Sequence, residues 1–163
     1  MPKKIIFAGG GTGGHIYPAV AIATGIKADF PDTDILFIGT ERGLEKDLVP
    51  KAGFELKTIR IKGFKRKLSL DTLSSIKELA LGMVESRRII AEEKPDLVIG
   101  TGGYVAGPVV LLAALSGVTT IIHEQNVKPG VTNKMLSRFV DKIAISFMES
   151  YEYFPRGKTI LTG

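Results

Sequence analysis

Lys4-Ile5-Ile6-Phe7-Ala8-Gly9-Gly10-Gly11-Thr12-Gly13-Gly14-His15 decides how this chain folds. An unbroken apolar run meets glycines and then, past Pro18, residues of helical composition. A strand with no polar alternation is buried on both faces, which is the mark of a parallel sheet. Glycines directly behind it permit positive φ and let backbone approach a ligand closely. The helix start that follows adds free N–H groups and a positive dipole end, an anion site suited to a diphosphate. The same pieces recur 89 residues on, where Gly100-Thr101-Gly102-Gly103 repeats Gly11-Thr12-Gly13-Gly14 after another apolar strand. Each copy is followed by a ring side chain (His15, Tyr104), a β-branched residue (Ile16, Val105) and, soon, a proline (Pro18, Pro108). Two phosphate-type loops on one sheet edge can grip one anionic ligand from both sides. A plain structural turn is the competing reading of each.

Working outward, short apolar segments alternate with helical ones. Strands are expected over residues 4–8, 34–38, 54–61, 97–99, 118–123, 142–145 and 159–161. Helices are expected over 19–30, 44–52, 70–92, 108–115 and 132–139, with Pro18 read as a first-turn residue. This is an α/β pattern: a Rossmann-like, doubly wound parallel sheet covered on both faces. Such sheets bind ligands at the carboxyl ends of their strands, so chemistry is sought after Ala8, Gly39, Ile99 and His123. The last of these opens His123-Glu124-Gln125-Asn126. The run begins like the zinc motif H-E-x-x-H, but Val127 stands where the second histidine belongs, so no metal site is expected. Glu124 and Gln125 also read as a polar cap for the next helix, while Asn126 sits further out. His15, at the mouth of the first loop, is the outstanding candidate for a catalytic base, since imidazole exchanges protons near neutrality. The competing reading is a histidine that only hydrogen-bonds backbone or phosphate.

Composition narrows the classes. One hundred and sixty-three residues make one domain, or half of a two-domain enzyme. With no cysteine, disulfide scaffolds, cysteine zinc sites, thiol nucleophiles and Fe–S clusters are excluded. The formal charge of +5 is local: residues 57–67 carry six basic and no acidic side chains, and the rest of the chain nets −1. A basic patch running through Phe64-Lys65-Arg66-Lys67-Leu68 into Leu70, Leu73 and Ile76 suits an anionic membrane surface. Core-facing leucines beside solvated lysines account for it equally well. Nucleic acid is not expected, because Phe64 is the only aromatic in the cluster and no nucleic-acid motif is present. The opening apolar run is too short for a signal-peptide core, and no segment reaches the length of a membrane span. Gly9-x-Gly11-x-x-Gly14 matches the dinucleotide fingerprint literally, yet the second strand ends Ile38-Gly39-Thr40 without the acidic residue that fingerprint needs. Asp32-Thr33-Asp34 lies at the strand end away from the ligand edge and reads as a solvated turn. No P-loop motif occurs.

Taken together, the motifs resemble the N-terminal half of the MurG family. These are the UDP-N-acetylglucosamine:N-acetylmuramyl-(pentapeptide) pyrophosphoryl-undecaprenol N-acetylglucosaminyltransferases of bacterial cell-wall synthesis. The resemblance runs along the whole chain. It rests on residues 10–15 with Pro18, Gly39-Thr40, Leu48-Val49-Pro50, Lys94-Pro95-Asp96, Gly102-Gly103-Tyr104-Val105 with Gly107-Pro108, His123-Glu124-Gln125-Asn126, and Thr132-Asn133-Lys134. It implies the GT-B glycosyltransferase architecture, two Rossmann-like domains across a cleft, with residues 1–163 as the N-terminal, acceptor-binding one. It implies transfer of GlcNAc from UDP-GlcNAc to the MurNAc 4-hydroxyl of lipid I, giving lipid II with inversion and without metal or other cofactor. The glycine loops, with Gly102, Gly103 and Tyr104, are implied to bind substrate toward the acceptor diphosphate, Thr12, Gly13, Gly14 and Asn126 to contribute also to the donor-sugar nucleotide site, and His15 to act as base. Residues 64–68 would meet the inner face of the cell membrane, making the enzyme cytoplasmic and peripheral. The family's second domain, which carries most of the uridine and sugar contacts, lies past Gly163 and is the expected partner. The chain is therefore expected to be a truncated form or one subunit of a split enzyme. A related GT-B transferase with another lipid-linked acceptor and a dinucleotide-binding oxidoreductase domain are the alternatives.

Overall fold

The computed structural model describes residues 2–61 and 71–163. Within these residues seven strands form one sheet: β1 (Lys4–Gly9), β2 (Asp34–Gly39), β3 (Glu55–Thr58), β4 (Leu97–Gly102), β5 (Thr119–Glu124), β6 (Lys142–Ile145) and β7 (Thr159–Leu161). Their order is β3-β2-β1-β4-β5-β6-β7, and every pairing is parallel. Among the described residues five α-helices connect them: α1 (Gly13–Asp29), α2 (Glu45–Lys51), α3 (Asp71–Glu93), α4 (Gly103–Leu115) and α5 (Val131–Leu136). The expected Rossmann-like fold is what forms.

Alternation along the strands builds two cores. Ile6, Ala8, Leu36, Ile38, Val98 and Ile122 pack on one face with Ile89 and Ile90 of α3 and Val105, Val109 and Ala113 of α4. Ile5, Phe7, Ile35, Phe37 and Ile99 pack on the other with Ile16, Ala19 and Ala23 of α1 and Val49 of α2. Phe7 and Phe37 stack there with ring centroids 5.1 Å apart. Ion pairs tie the first core's helix to its sheet. Glu93, at the end of α3, pairs with both Lys4 of β1 and Lys57 of β3, and Lys4 also reaches Asp34 at 2.9 Å.

Two helix starts differ from the sequence expectation, and for one reason. α1 begins at Gly13 and α4 at Gly103, each several residues before the proline taken as a first-turn marker. Pro18 and Pro108 lie inside their helices, where each removes one backbone bond, to Gly14 and Tyr104 respectively. Gly14 is exposed, so solvent can satisfy the carbonyl that Pro18 releases. The consequence matters for the site. Gly13 and Gly14 open the first turn of α1, whereas in the second tetrapeptide Gly100–Gly102 close β4 and Gly103 alone is helical.

Strand order reverses at β1. The chain runs from β1 outward to β3, then crosses to β4 on β1's other side. Open α/β sheets hold ligands at such a switch point, and here both glycine motifs leave it from adjacent strands.

Candidate functional site

The two glycine motifs pack closely, with the Gly10 backbone against Gly103. Gly103 has φ +80°, and a Cβ there would lie 2.3 Å from the Gly10 carbonyl oxygen. Gly11 has φ +87°, and a Cβ there would meet the Tyr104 ring at 2.7 Å. Thr101 fastens the junction at two points. Its hydroxyl donates to the His15 carbonyl at 2.7 Å, and its own carbonyl lies 2.9 Å from His15 Nδ1. The His15 ring lies against the second motif, because glycine at 102 and 103 leaves it room. A Cβ on Gly102 would stand 2.8 Å from Nδ1, and one on Gly103 would stand 3.3 Å from Cδ2. His15 Nε2 has no partner among the described residues.

Thr12 is the N-cap of α1, and Gly13 and Gly14 are its first two residues. Gly11 gives its amide to Glu45 Oε2 at 3.2 Å. The amides of Thr12, Gly13 and Gly14 therefore remain for an anion, in line with the helix dipole. Glu45 carries no exposed surface. Its other oxygen accepts from Thr40 N–H at 2.9 Å and from the Thr40 hydroxyl at 2.8 Å. A Cβ on Gly10, Gly39 or Gly43 would come within 2.6 Å of this side chain, so three glycines make its cradle. Sequence reasoning missed Glu45. The only trace of it was Gly39-Thr40 with Gly43 just before a short helix.

His123-Glu124-Gln125-Asn126 divides its labour. Glu124 is buried, and its carboxylate accepts from Asn126 N–H and Nδ2, Gly130 N–H and Asn133 Nδ2 at 2.9–3.1 Å. It is the polar cap that organises the approach to α5. Gln125 turns instead toward the first motif, with its amide nitrogen 2.8 Å from His15 Nδ1. Asn126 is exposed at the rim and tied back to Glu124. His123 is buried beside Ser146 Oγ, 3.2 Å from its Nε2. Burial pushes its imidazole below the usual histidine range, partly opposed by the Glu124 charge.

Of the expected site residues, Thr12, Gly13, Gly14, His15, Gly102, Gly103 and Tyr104 converge at the switch point, while Asn126 follows Gln125 in the chain and is bonded to Glu124. Phe64, Lys65, Arg66, Lys67 and Leu68, expected at the membrane, lie outside the described residues. Two members of the basic segment are described, and both face acids of α3. Lys57 pairs with Glu93, and Arg60 Nε meets Glu85 Oε1 at 2.6 Å. Beside Tyr104 opens a cavity of about 660 Å³, lined by Thr40, Glu41, Arg42, Thr58, Ile59, Arg60, Ile61, Glu78 and Glu85. Among the described residues no cluster of acids and histidines has metal-site geometry, and no helix is long and apolar enough to cross a membrane.

The sequence profile of the glycosyltransferase family 28 N-terminal domain matches residues 5–145. A UDP-N-acetylglucosamine–N-acetylmuramyl-(pentapeptide) pyrophosphoryl-undecaprenol N-acetylglucosamine transferase of Thermoanaerobacter sp. (strain X514) is 60% identical over 161 residues, 98% of this chain and 44% of its own. The protein of the same description from Clostridioides difficile (strain 630) is 51% identical, over 98% of this chain and 40% of its own. The chain thus spans less than half the length of these curated relatives. A crystal structure of Acinetobacter baumannii MurG superposes with a TM-score of 0.82 at 31% identity, covering 99% of this chain and 46% of that one. A Neisseria meningitidis UDP-GlcNAc 2-epimerase, 14% identical over 98% of this chain and 45% of its own, shares the fold with a TM-score of 0.71.

Proposed function

The chain belongs to the glycosyltransferase family 28 N-terminal domain family, and on that premise we propose that it is the acceptor-side half of an N-acetylglucosaminyltransferase. The reaction moves GlcNAc from UDP-GlcNAc to the MurNAc 4-hydroxyl of undecaprenyl-pyrophosphoryl-MurNAc-pentapeptide, with inversion and without metal. The acceptor diphosphate sits against the amides of Thr12, Gly13 and Gly14 and the second motif at Gly102, Gly103 and Tyr104. Asn126 borders the donor sugar. His15 takes the proton of the attacking hydroxyl. A second Rossmann-like domain brings the nucleotide, and residues 64–68 rest on the anionic inner face of the membrane.

One observation carries this reading: two glycine motifs abut at the switch point of the sheet with the His15 imidazole held between them. A dinucleotide reading has no support at the end of β2. Thr40 stands there, and the nearby buried carboxylate, Glu45, is turned onto protein amides. The names of the relatives agree with the transferase reading.

Amide NMR of the chain, titrated with a short-chain lipid I analogue, UDP-GlcNAc and NAD, tests it. Shifts at residues 11–14 and 100–103 that move together with the analogue are expected. A response of the first motif alone, to NAD alone, refutes the proposal. The chain by itself is expected to show negligible turnover, because catalysis needs donor and acceptor held together. In a two-domain enzyme, His15→Ala is expected to lower kcat about a hundredfold or more. A loss well short of tenfold removes His15 as the base.

A further inference from the structure

His15 Nδ1 has two neighbours that make opposite demands. The Thr101 carbonyl oxygen at 2.9 Å can only accept a hydrogen bond. The Gln125 amide at 2.8 Å can accept or donate, depending on which end faces the ring. A neutral imidazole carries one proton, so Nδ1 either donates to both or accepts from Gln125 alone. In the second case the Nδ1 lone pair would face the Thr101 oxygen lone pairs at 2.9 Å. Backbone fixes that oxygen, since Thr101 belongs to β4 and its hydroxyl is bonded to the His15 carbonyl. The Gln125 amide is the adjustable partner, because a half-turn of its terminal torsion exchanges oxygen and nitrogen with little change of shape.

We infer that Gln125 is a positioning residue: it presents Oε1 to His15 Nδ1–H and, with the Thr101 carbonyl, fixes the ring in the tautomer that leaves Nε2 as the proton acceptor. The inference rests on the reading of His15 as base. In the transfer step the O–H bond of the acceptor 4-hydroxyl breaks and its proton goes to His15 Nε2. The hydroxyl oxygen forms the new bond to the sugar C1, and the C1–O bond to UDP breaks, with its electron pair leaving on the diphosphate. The ring is then an imidazolium whose Nδ1–H still points at two oxygens. The pair of acceptors thus selects the starting tautomer and stabilises the charge that develops. Gln125 lies 110 positions from His15 and reaches it because β1, β4 and β5 are successive strands.

Long-range ¹H–¹⁵N correlation of the imidazoles in the ¹⁵N-labelled chain tests this directly. The chain has two histidines, and a His123→Gln variant assigns them. Spectra are taken above the usual histidine titration range. The expected result is a protonated, pyrrole-type Nδ1 and an unprotonated, pyridine-type Nε2 for His15. Gln125→Ala should shift the tautomer ratio toward Nε2–H by about fivefold, the ratio one ordinary net hydrogen bond commands. Gln125→Glu, which can only accept when ionised, should restore Nδ1–H. An unprotonated Nδ1 in the parent chain overturns the assignment, and so does a ratio that Gln125→Ala leaves unmoved. The base reading fails separately, through a His15→Ala two-domain enzyme that keeps its kcat while the Nδ1–H tautomer stands.

Discussion

Replacing Glu45 with alanine strands three donors at once: the Thr40 N–H, the Thr40 hydroxyl and the Gly11 N–H. Each orphaned buried donor costs about 1–3 kcal/mol, and the carboxylate's cradle of glycines has no other side chain to fill it. We expect Glu45→Ala to lose about 3 kcal/mol or more. For a domain of this size that is a fall in Tm on the order of 10 °C, read by thermal unfolding. The Gly11–Gly14 amides should move in the same variant, because Gly11 is held from behind by this carboxylate. Glu45→Gln keeps one acceptor oxygen for Thr40 and should lose less. The glycines and His15 were legible because backbone permissiveness and an ionisable ring leave a local signature after a strand. Glu45 was not legible. Its role depends on three glycines that close round it only when β1 and β2 lie side by side. Gln125 was seen, but its partner was not, since a cap and a positioning residue look alike until the strand order is known.

At the scale of elements, the sheet was readable from unbroken apolar runs, and the last two strands fall where the pattern put them. The starts of α1 and α4 were misplaced because proline is favoured in a first turn and disfavoured inside a helix, yet here both helices run through it and forgo one bond. Local sequence does not say where a helix will do so. The position of the glycines in these helices predicts their tolerance. Gly103→Ala puts a Cβ 2.3 Å from the Gly10 carbonyl at φ +80°. The left-handed backbone alone costs about 1–2 kcal/mol, and the clash, against backbone, adds to it. The expected outcome is a lowered Tm together with a weakened response of both motifs to the lipid I analogue. Gly25→Ala is the contrasting case. Gly25 is exposed within α1 and an added Cβ meets nothing within 4 Å. Calorimetry should show a gain of about 0.5–1 kcal/mol, from reduced backbone entropy of the unfolded chain.

For the whole molecule, three groups among the described residues shape the acid limb of stability. Hydrogen bonds from Lys4 and Lys57 hold the Glu93 carboxyl below its usual range, and the Lys4 and Lys3 amides do the same for Asp96. Burial holds His123 below its usual range. Each has a folded pKa depressed from its unfolded one, so the unfolded chain binds protons first as pH falls. Stability is therefore full above the ordinary histidine range near about 6.5 and declines in two stages. The first stage belongs to His123, and His123→Gln should abolish it. The second begins below about 4.3, the ordinary glutamate value, and Glu93→Gln should flatten it. Unfolding midpoints across pH decide, and an unchanged profile in either variant refutes its part. Strand order was the large-scale fact that composition withheld: a parallel sheet was legible, but which strands adjoin was not. That adjacency has a consequence for descent as well as for chemistry. With Gly103 seated on the Gly10 carbonyl and Gly11 on the Tyr104 ring, the two glycine motifs and their flanking residues form a single heritable unit. A side chain gained in one is viable only with room made in the other. Lineages that alter what this crevice binds should therefore change the two motifs in step, or vary the surrounding residues and leave both intact.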